Sequence, residues 1–241
     1  MTSERLVISG RFCGPPNVGN GGYVCGRVAA HVPGSASVRL KVPIPLETEL
    51  RIEALESEAR LMHGPSIIAE GTAVALDLTP PTAPSFAEAE EAAKSYPGFI
   101  HHVFPRCFVC GPQRASGDGL RIFPGSIGAR SLVAAPWVPD SSLGNGSRMV
   151  RPEFLWAALD CTSAFALPPI PDDKALVLGE LGARIDDRVA LGEPCVVVGW
   201  PLQVDGRKRM AASAVYSSSG RAVAVGRAIW IEVPSSAFGG Q

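Results

Sequence analysis

Apolar and polar positions alternate in part over SVRLKVPIPL (37–46), TELRIEALESEARL (48–61) and SIIAEGTAVALDL (66–78), with breaks at proline and glycine. A period of two reads as half-buried strands, because successive side chains leave opposite faces. Ahead of these, Leu6 to Phe12 reads as a short strand. The turn-forming GPPNVGN then leads into a helical run, GGYVCGRVAAHV, over 21–32. A second succession follows later in the chain. GLRIFPG (119–125) and SLVAAPWVP (131–139) read as strands, 152–167 as a helix, and ALVLGELGARI, PCVVVGWPLQV, RKRMAASAVYS and RAVAVGRAIWIEV as strands. Asp205-Gly206 and Ser219-Gly220 separate the last three as hairpin turns.

The two successions are alike in order and, faintly, in residues. Pro45-Leu46-Glu47 with Leu50-Arg51-Ile52 is similar to Ala190-Leu191-Gly192 with Cys195-Val196-Val197, and IAEGTA at 68–73 to VAVGRA at 223–228. Strand, loop, apolar helix and a run of antiparallel strands, given twice, predict two α+β units rather than one sandwich. The expected units are 1–78 and 118–241. Between them, 79–117 holds a TPPTAP linker, a short solvated helix in FAEAEEAAKSY, and the irregular HHVFPRCFVCGPQRASGDG.

Composition narrows the function classes. The chain has 241 residues, 46% apolar and 19% charged, with a net charge of −1. Its charges are scattered singly, so no basic stripe exists to neutralise phosphates, and nucleic acid is not an expected partner. The N-terminus lacks a charged segment followed by an apolar one, and Asp160 and two prolines interrupt the longest apolar stretch. A cytoplasmic protein without a membrane partner is the expectation. Six cysteines in a chain of this size do not make a disulfide framework.

PEFLWAALDCTSAFAL is apolar nearly all round, as a helix wrapped by a curled sheet should be. Asp160 is almost its only charge, and a buried carboxylate costs several kcal/mol unless it is hydrogen-bonded or protonated. That cost makes Asp160 a functional candidate, set against a structural acid that joins the two units. At helical spacing Glu153, Trp156, Asp160 and Ser163 fall on one stripe, a candidate pocket wall, and Thr162 points elsewhere. Glu153, in the first turn, reads as a structural partner of the helix dipole. In the first unit Asn20 is a suitable N-cap, and the N–H groups at the start of that helix could hold a developing oxyanion. His31 reads as a partner for the helix C-terminus.

NGG at the first helix start, PEFLWAALD on the second, and the closing GRKRMAASAVYSSSGRAVAVGRAIWIEV resemble the hotdog-fold acyl-CoA thioesterases in their double-hotdog form. The resemblance implies two antiparallel sheets, each wrapped around a central helix. It also implies hydrolysis of an acyl-CoA or acyl-carrier-protein thioester, without a cofactor. Family members of the phenylacetyl-CoA type carry His-Gly-Gly at a helix start and, nine residues after the His, an Asp that works from the partner's helix. Here Asn20-Gly21-Gly22 matches the glycine motif with Asn for His, and Ala29 stands where the acid would be. Asp160 matches the acid, but Arg151-Pro152-Glu153 replaces the glycines before it. The resemblance therefore implies one composite site. In it Asp160 attacks or activates water, Asn20 orients the carbonyl, Gly21, Gly22 and Tyr23 surround the oxyanion, and Trp156 and Ser163 contact the acyl group. A non-catalytic acyl-CoA or small-ligand-binding double hotdog is the alternative, a hydratase a weaker one because neither motif holds a His. Homodimers through sheet packing are a further implication.

Cys107-Phe-Val-Cys110, with His101 and His102 upstream, lacks the second pair of a structural zinc site, and no metal is expected. The turn is expected to pack the linker against the two units. Cys25 and Cys161 read as core residues.

Overall fold

The computed structural model describes residues 2–128 and 131–238. Its first strands are β1 (Thr2–Val7), β2 (Ala36–Leu40), β3 (Glu49–Ala54), β4 (Glu58–His63) and β5 (Ser66–Ala73). The later ones are β6 (Gly125–Ser126), β7 (Val133–Trp137), β8 (Lys174–Ile185), β9 (Cys195–Asp205), β10 (Lys208–Tyr216) and β11 (Ala222–Pro234). Three α-helices accompany them: α1 (Gly21–Ala29), α2 (Phe86–Ala93) and α3 (Pro152–Phe165). Strand β3 buries Leu50, Ile52 and Ala54 and turns the residues between them outward, which is the alternation expected of a strand with one covered face.

The strands form one antiparallel sheet in the order β1-β3-β4-β5-β2-β8-β11-β10-β9-β7-β6. Within it β1-β3-β4-β5-β2 carries α1 between β1 and β2, and β7-β9-β10-β11-β8 carries α3 between β7 and β8. The chain thus traces the same path twice. Two separate sheets were expected; the difference comes at β2 and β8, which pair from Ala36↔Ala183 to Arg39↔Glu180. Each would otherwise be an open edge with unsatisfied backbone groups. Side chains close the same seam: Glu180 accepts from Ser37 Oγ at 2.7 Å and from Arg39 Nη2 at 2.8 Å.

Both long helices lie on one face of this sheet. α1 packs on β2, β4, β5 and β8, α3 on β7 through β11, and the two helices pack on each other. Their shared core includes Val24, Val28, Phe154, Leu155 and Leu159. α2 covers the other face of the second half, where Ala89 joins a smaller cluster with Ala134, Val198 and Ala214, and Ala92 is buried too. Its N-terminus has a capping box, Ser85 with Glu88. Thus only one face of FAEAEEAAKSY is solvated.

Local expectations change at three places. The strand read over 6–12 is Thr2–Val7, with Gly10–Phe12 a short 3-10 turn. TELRIEALESEARL is two strands, β3 and β4, turning at 55–57. GLRIFPG forms no strand before Gly125, because Leu120 N–H and Ile122 N–H donate to Phe108 O and Val109 O of the linker. Between them Arg121 takes a positive φ of 55°, which breaks any extended run. Among the described residues no helix is long and apolar enough to cross a membrane.

Candidate active site

Two of the three glycines of α1, Gly22 and Gly26, fix where the helices meet. A Cβ built on Gly22 would lie 2.5 Å from Asp160 Cβ, and one on Gly26 would lie 2.6 Å from Glu153 Cα. Each glycine costs a helix about 1 kcal/mol relative to alanine. At these two positions the backbone approach offsets that cost, because any larger residue would push α3 away. The stripe Glu153, Trp156, Asp160 on α3 therefore faces α1 at contact distance. Glu153 also pairs with Arg151 at 3.3 Å, a structural role.

Asp160 is thereby carried to the N-terminus of α1. Its Oδ2 accepts from Asn20 Nδ2 at 2.9 Å and from Gly22 N–H at 3.0 Å. Oδ1 is buried and has no hydrogen-bond partner among the described residues. The residue is 2% exposed. Burial pushes its carboxyl up to about 7, against the bonds from Gly22 and Asn20, which favour the charged form. The positive end of α1 favours that charged form as well.

Asn20 caps α1 and holds the acid at once. Its Oδ1 accepts from Tyr23 N–H at 2.9 Å while its Nδ2 donates to Asp160. Both amides expected to meet a substrate carbonyl, those of Gly22 and Tyr23, are therefore engaged within the site. Tyr23 stacks on Phe12 at 4.1 Å, within an aromatic group that includes Phe108 and Phe154. Gly21, half-exposed, lies beside Leu40 and Leu178. Ser163 Oγ donates to Asp160 O at 2.7 Å and accepts from Trp230 Nε1 at 2.9 Å, and Trp156 is buried against Gly26. A surface cleft of about 580 Å³, lined by Gly117, Arg121, Trp137, Asp140 and neighbours, includes none of these residues.

The linker reaches the same place. Phe108 N–H donates to Cys13 O at 2.7 Å, and Arg11 donates to Asp118 O and Gly117 O, so the linker is tied to the first half, with 107–111 buried. Cys107 Sγ lies 4.0 Å from Asn20 Nδ2 and 3.7 Å from Cys161 Sγ. Hydrogen bonds from the Cys110 and Cys161 thiols hold the Cys107 thiol well below the usual range, and burial pushes Cys110 up. Cys161 is the buried core residue that was expected, but sequence reasoning missed its sulfur neighbours. The one signal was that Cys161 directly follows Asp160, the one acid in the apolar middle of α3. Cys25 is a core residue, buried in α1, and His31 Nε2 lies 2.8 Å from Glu4 Oε2 beyond the helix end.

No protein-family model and no curated protein matches the chain. Solved structures do. The TesB protein of Mycobacterium avium subspecies paratuberculosis is 14% identical over 95% of this chain and 93% of its own, with a TM-score of 0.61. A protein assigned as a candidate thioesterase II, from Thermobifida fusca, is 14% identical over 97% and 93%, with a TM-score of 0.58. A hot dog fold protein of Alicyclobacillus acidocaldarius is 10% identical over 96% and 93%, with a TM-score of 0.57. At these identities the likeness is one of fold, and the fold is the hotdog fold.

Proposed function

We propose that the chain is a tandem of two hotdog units, 1–78 and 118–241 joined by 79–117, that hydrolyses an acyl-CoA or acyl-carrier-protein thioester between them. The observation that carries this reading is Asp160: a buried carboxylate from the second half, bound through one oxygen to Asn20 and Gly22 of the first, with its other oxygen unpartnered. The names of the structural neighbours support the same chemistry.

In this reading Oδ2 anchors the carboxylate and Oδ1 is the reactive atom, taking a proton from water as that water attacks the thioester carbon. The thiolate of CoA or the carrier's phosphopantetheine leaves and recovers the proton. A carboxyl near 7 is ionised in part at neutral pH and retains enough basicity for proton abstraction. The carbonyl oxygen takes the Gly22 N–H as Asp160 Oδ2 gives it up, so the amide that holds the base in the resting site polarises the substrate in the reacting one. The acyl chain enters beside Gly21, along the half-buried Leu40 and Leu178. Trp156 packs α3 against α1, and Ser163 ties α3 to Trp230.

The test is release of free thiol from a panel of acyl-CoAs of increasing chain length. Turnover that Asp160→Asn abolishes is the expected result. The enclosed acid and the engaged amides favour one other reading, a double hotdog that binds acyl-CoA without cleaving it. Binding of CoA esters with no turnover at any chain length would decide for that.

A further inference from the structure

Cys107, Cys110 and Cys161 are all buried, and their sulfurs lie within 4.8 Å of one another. Cys107 and Cys161 are 3.7 Å apart at sulfur. Thiolates at 2.3 Å from a tetrahedral zinc ion sit about 3.8 Å from each other. The cluster therefore has the dimensions of a ligand set, and it is far wider than the roughly 2 Å of a disulfide. Two ligands come from one tight turn, closed by Gly111 N–H donating to Cys107 O at 2.9 Å, with the C-x-x-C spacing that structural zinc sites use. The third comes from α3.

Two N–H donors face the sulfurs, beside the Asp160 carboxylate, which shares the Asn20 donor. Asn20 Nδ2 faces Cys107 Sγ at 4.0 Å, and His102 Nε2 is 3.3 Å from Cys110 Sγ. His102 Nδ1 accepts from Phe104 N–H at 2.9 Å, so in the neutral ring the hydrogen is on Nε2 and points at sulfur. Donors aimed at buried sulfur favour thiolates over thiols. Three thiolates around Zn²⁺ leave a net charge of −1, which such N–H groups stabilise from outside the coordination shell. Sulfur ligands select zinc over the hard cations magnesium and calcium.

We propose that Cys107, Cys110 and Cys161 bind one zinc ion that ties the linker turn to α3 beside the acid. On loading, three S–H bonds break, three Zn–S bonds form and three protons pass to solvent. This inference is independent of the hydrolytic reading, because it is read in metal content.

The full chain, purified from zinc-supplemented medium and freed of weakly bound metal, should retain about one zinc per chain by mass spectrometry of the elements. Cys161→Ser should retain less than about a tenth of that, and Cys195→Ala, a control at a distant buried cysteine, should retain it fully. A second measurement does not depend on the variants folding. Wild-type protein stripped of metal should take up Co²⁺ with a thiolate-to-cobalt charge-transfer band that Zn²⁺ then abolishes. Wild-type protein that neither retains zinc nor shows the cobalt band overturns the proposal, as does a Cys107–Cys161 disulfide, two hydrogens lighter, in the purified chain.

Discussion

Replacing Asp160 with asparagine separates the two properties of this acid, its shape and its charge. The amide oxygen can still accept from Asn20 Nδ2 and Gly22 N–H, but an NH₂ group replaces the unpartnered Oδ1. A carboxyl held at about 7 in the fold, against 3.8 outside it, makes ionisation cost the native state up to about 4 kcal/mol. The direction follows from linkage. Below the unfolded value both states are protonated and nothing is lost. As pH rises the unfolded chain ionises first, so stability falls between about pH 4 and pH 7 and is level above that range. Asp160→Asn removes this dependence. It introduces instead a pH-independent loss of about 1–3 kcal/mol for the unpaired amide. The constant loss cancels when wild type and variant are compared by urea unfolding at about pH 4 and about pH 8. The variant should gain about 3–4 kcal/mol on the wild type between the two pH values, while its kcat falls about 10²- to 10⁴-fold. A gain under about 1 kcal/mol would mean that burial does not raise this acid. Full activity in a folded variant would remove Asp160 from the chemistry.

Asn20→Ala takes away both the helix cap and one donor to Asp160; about 1–2 kcal/mol should be lost in urea unfolding, and the acid limb of the pH–rate profile should move upward. Gly26→Ala puts a methyl group 2.6 Å from Glu153 Cα, so despite alanine's better helix propensity it should destabilise by about 1–3 kcal/mol, with helix content by circular dichroism retained. Ser163→Ala leaves Trp230 Nε1 without its acceptor and should cost about 1–3 kcal/mol without altering acyl chain-length preference; a changed preference would return Ser163 to the substrate's path. Ser85→Ala removes the capping box of α2 and should lower stability by about 1 kcal/mol in the same unfolding assay, with no effect on turnover.

Much of this was legible along the chain because it is set locally. Alternation marked the strands, Asp205-Gly206 and Ser219-Gly220 marked the last hairpins, and Asn20 marked the start of α1, where it does cap Tyr23 N–H. Asp160 stood out as almost the only charge in an apolar helix, and its burial follows from that helix being covered on nearly all sides. The stripe on α3 was right in its spacing, but its destination was not legible. It faces the glycines of α1, because helix periodicity says which residues share a face and nothing about what that face meets.

What the residues determined by themselves are the elements, their turns and the one acid that burial would make costly. The tertiary structure decided what lies next to what. Pairing of β2 with β8 turns two expected sheets into one. That sheet carries α1 and α3 side by side, so Asn20 meets Asp160 across 140 residues and Cys107 meets Cys161 across 54. Such contacts follow from chain topology and the approach of two backbones, which local propensity and spacing do not encode. A cysteine turn read as linker packing and a core cysteine of α3 thus come together, with Cys107 and Cys161 3.7 Å apart at sulfur.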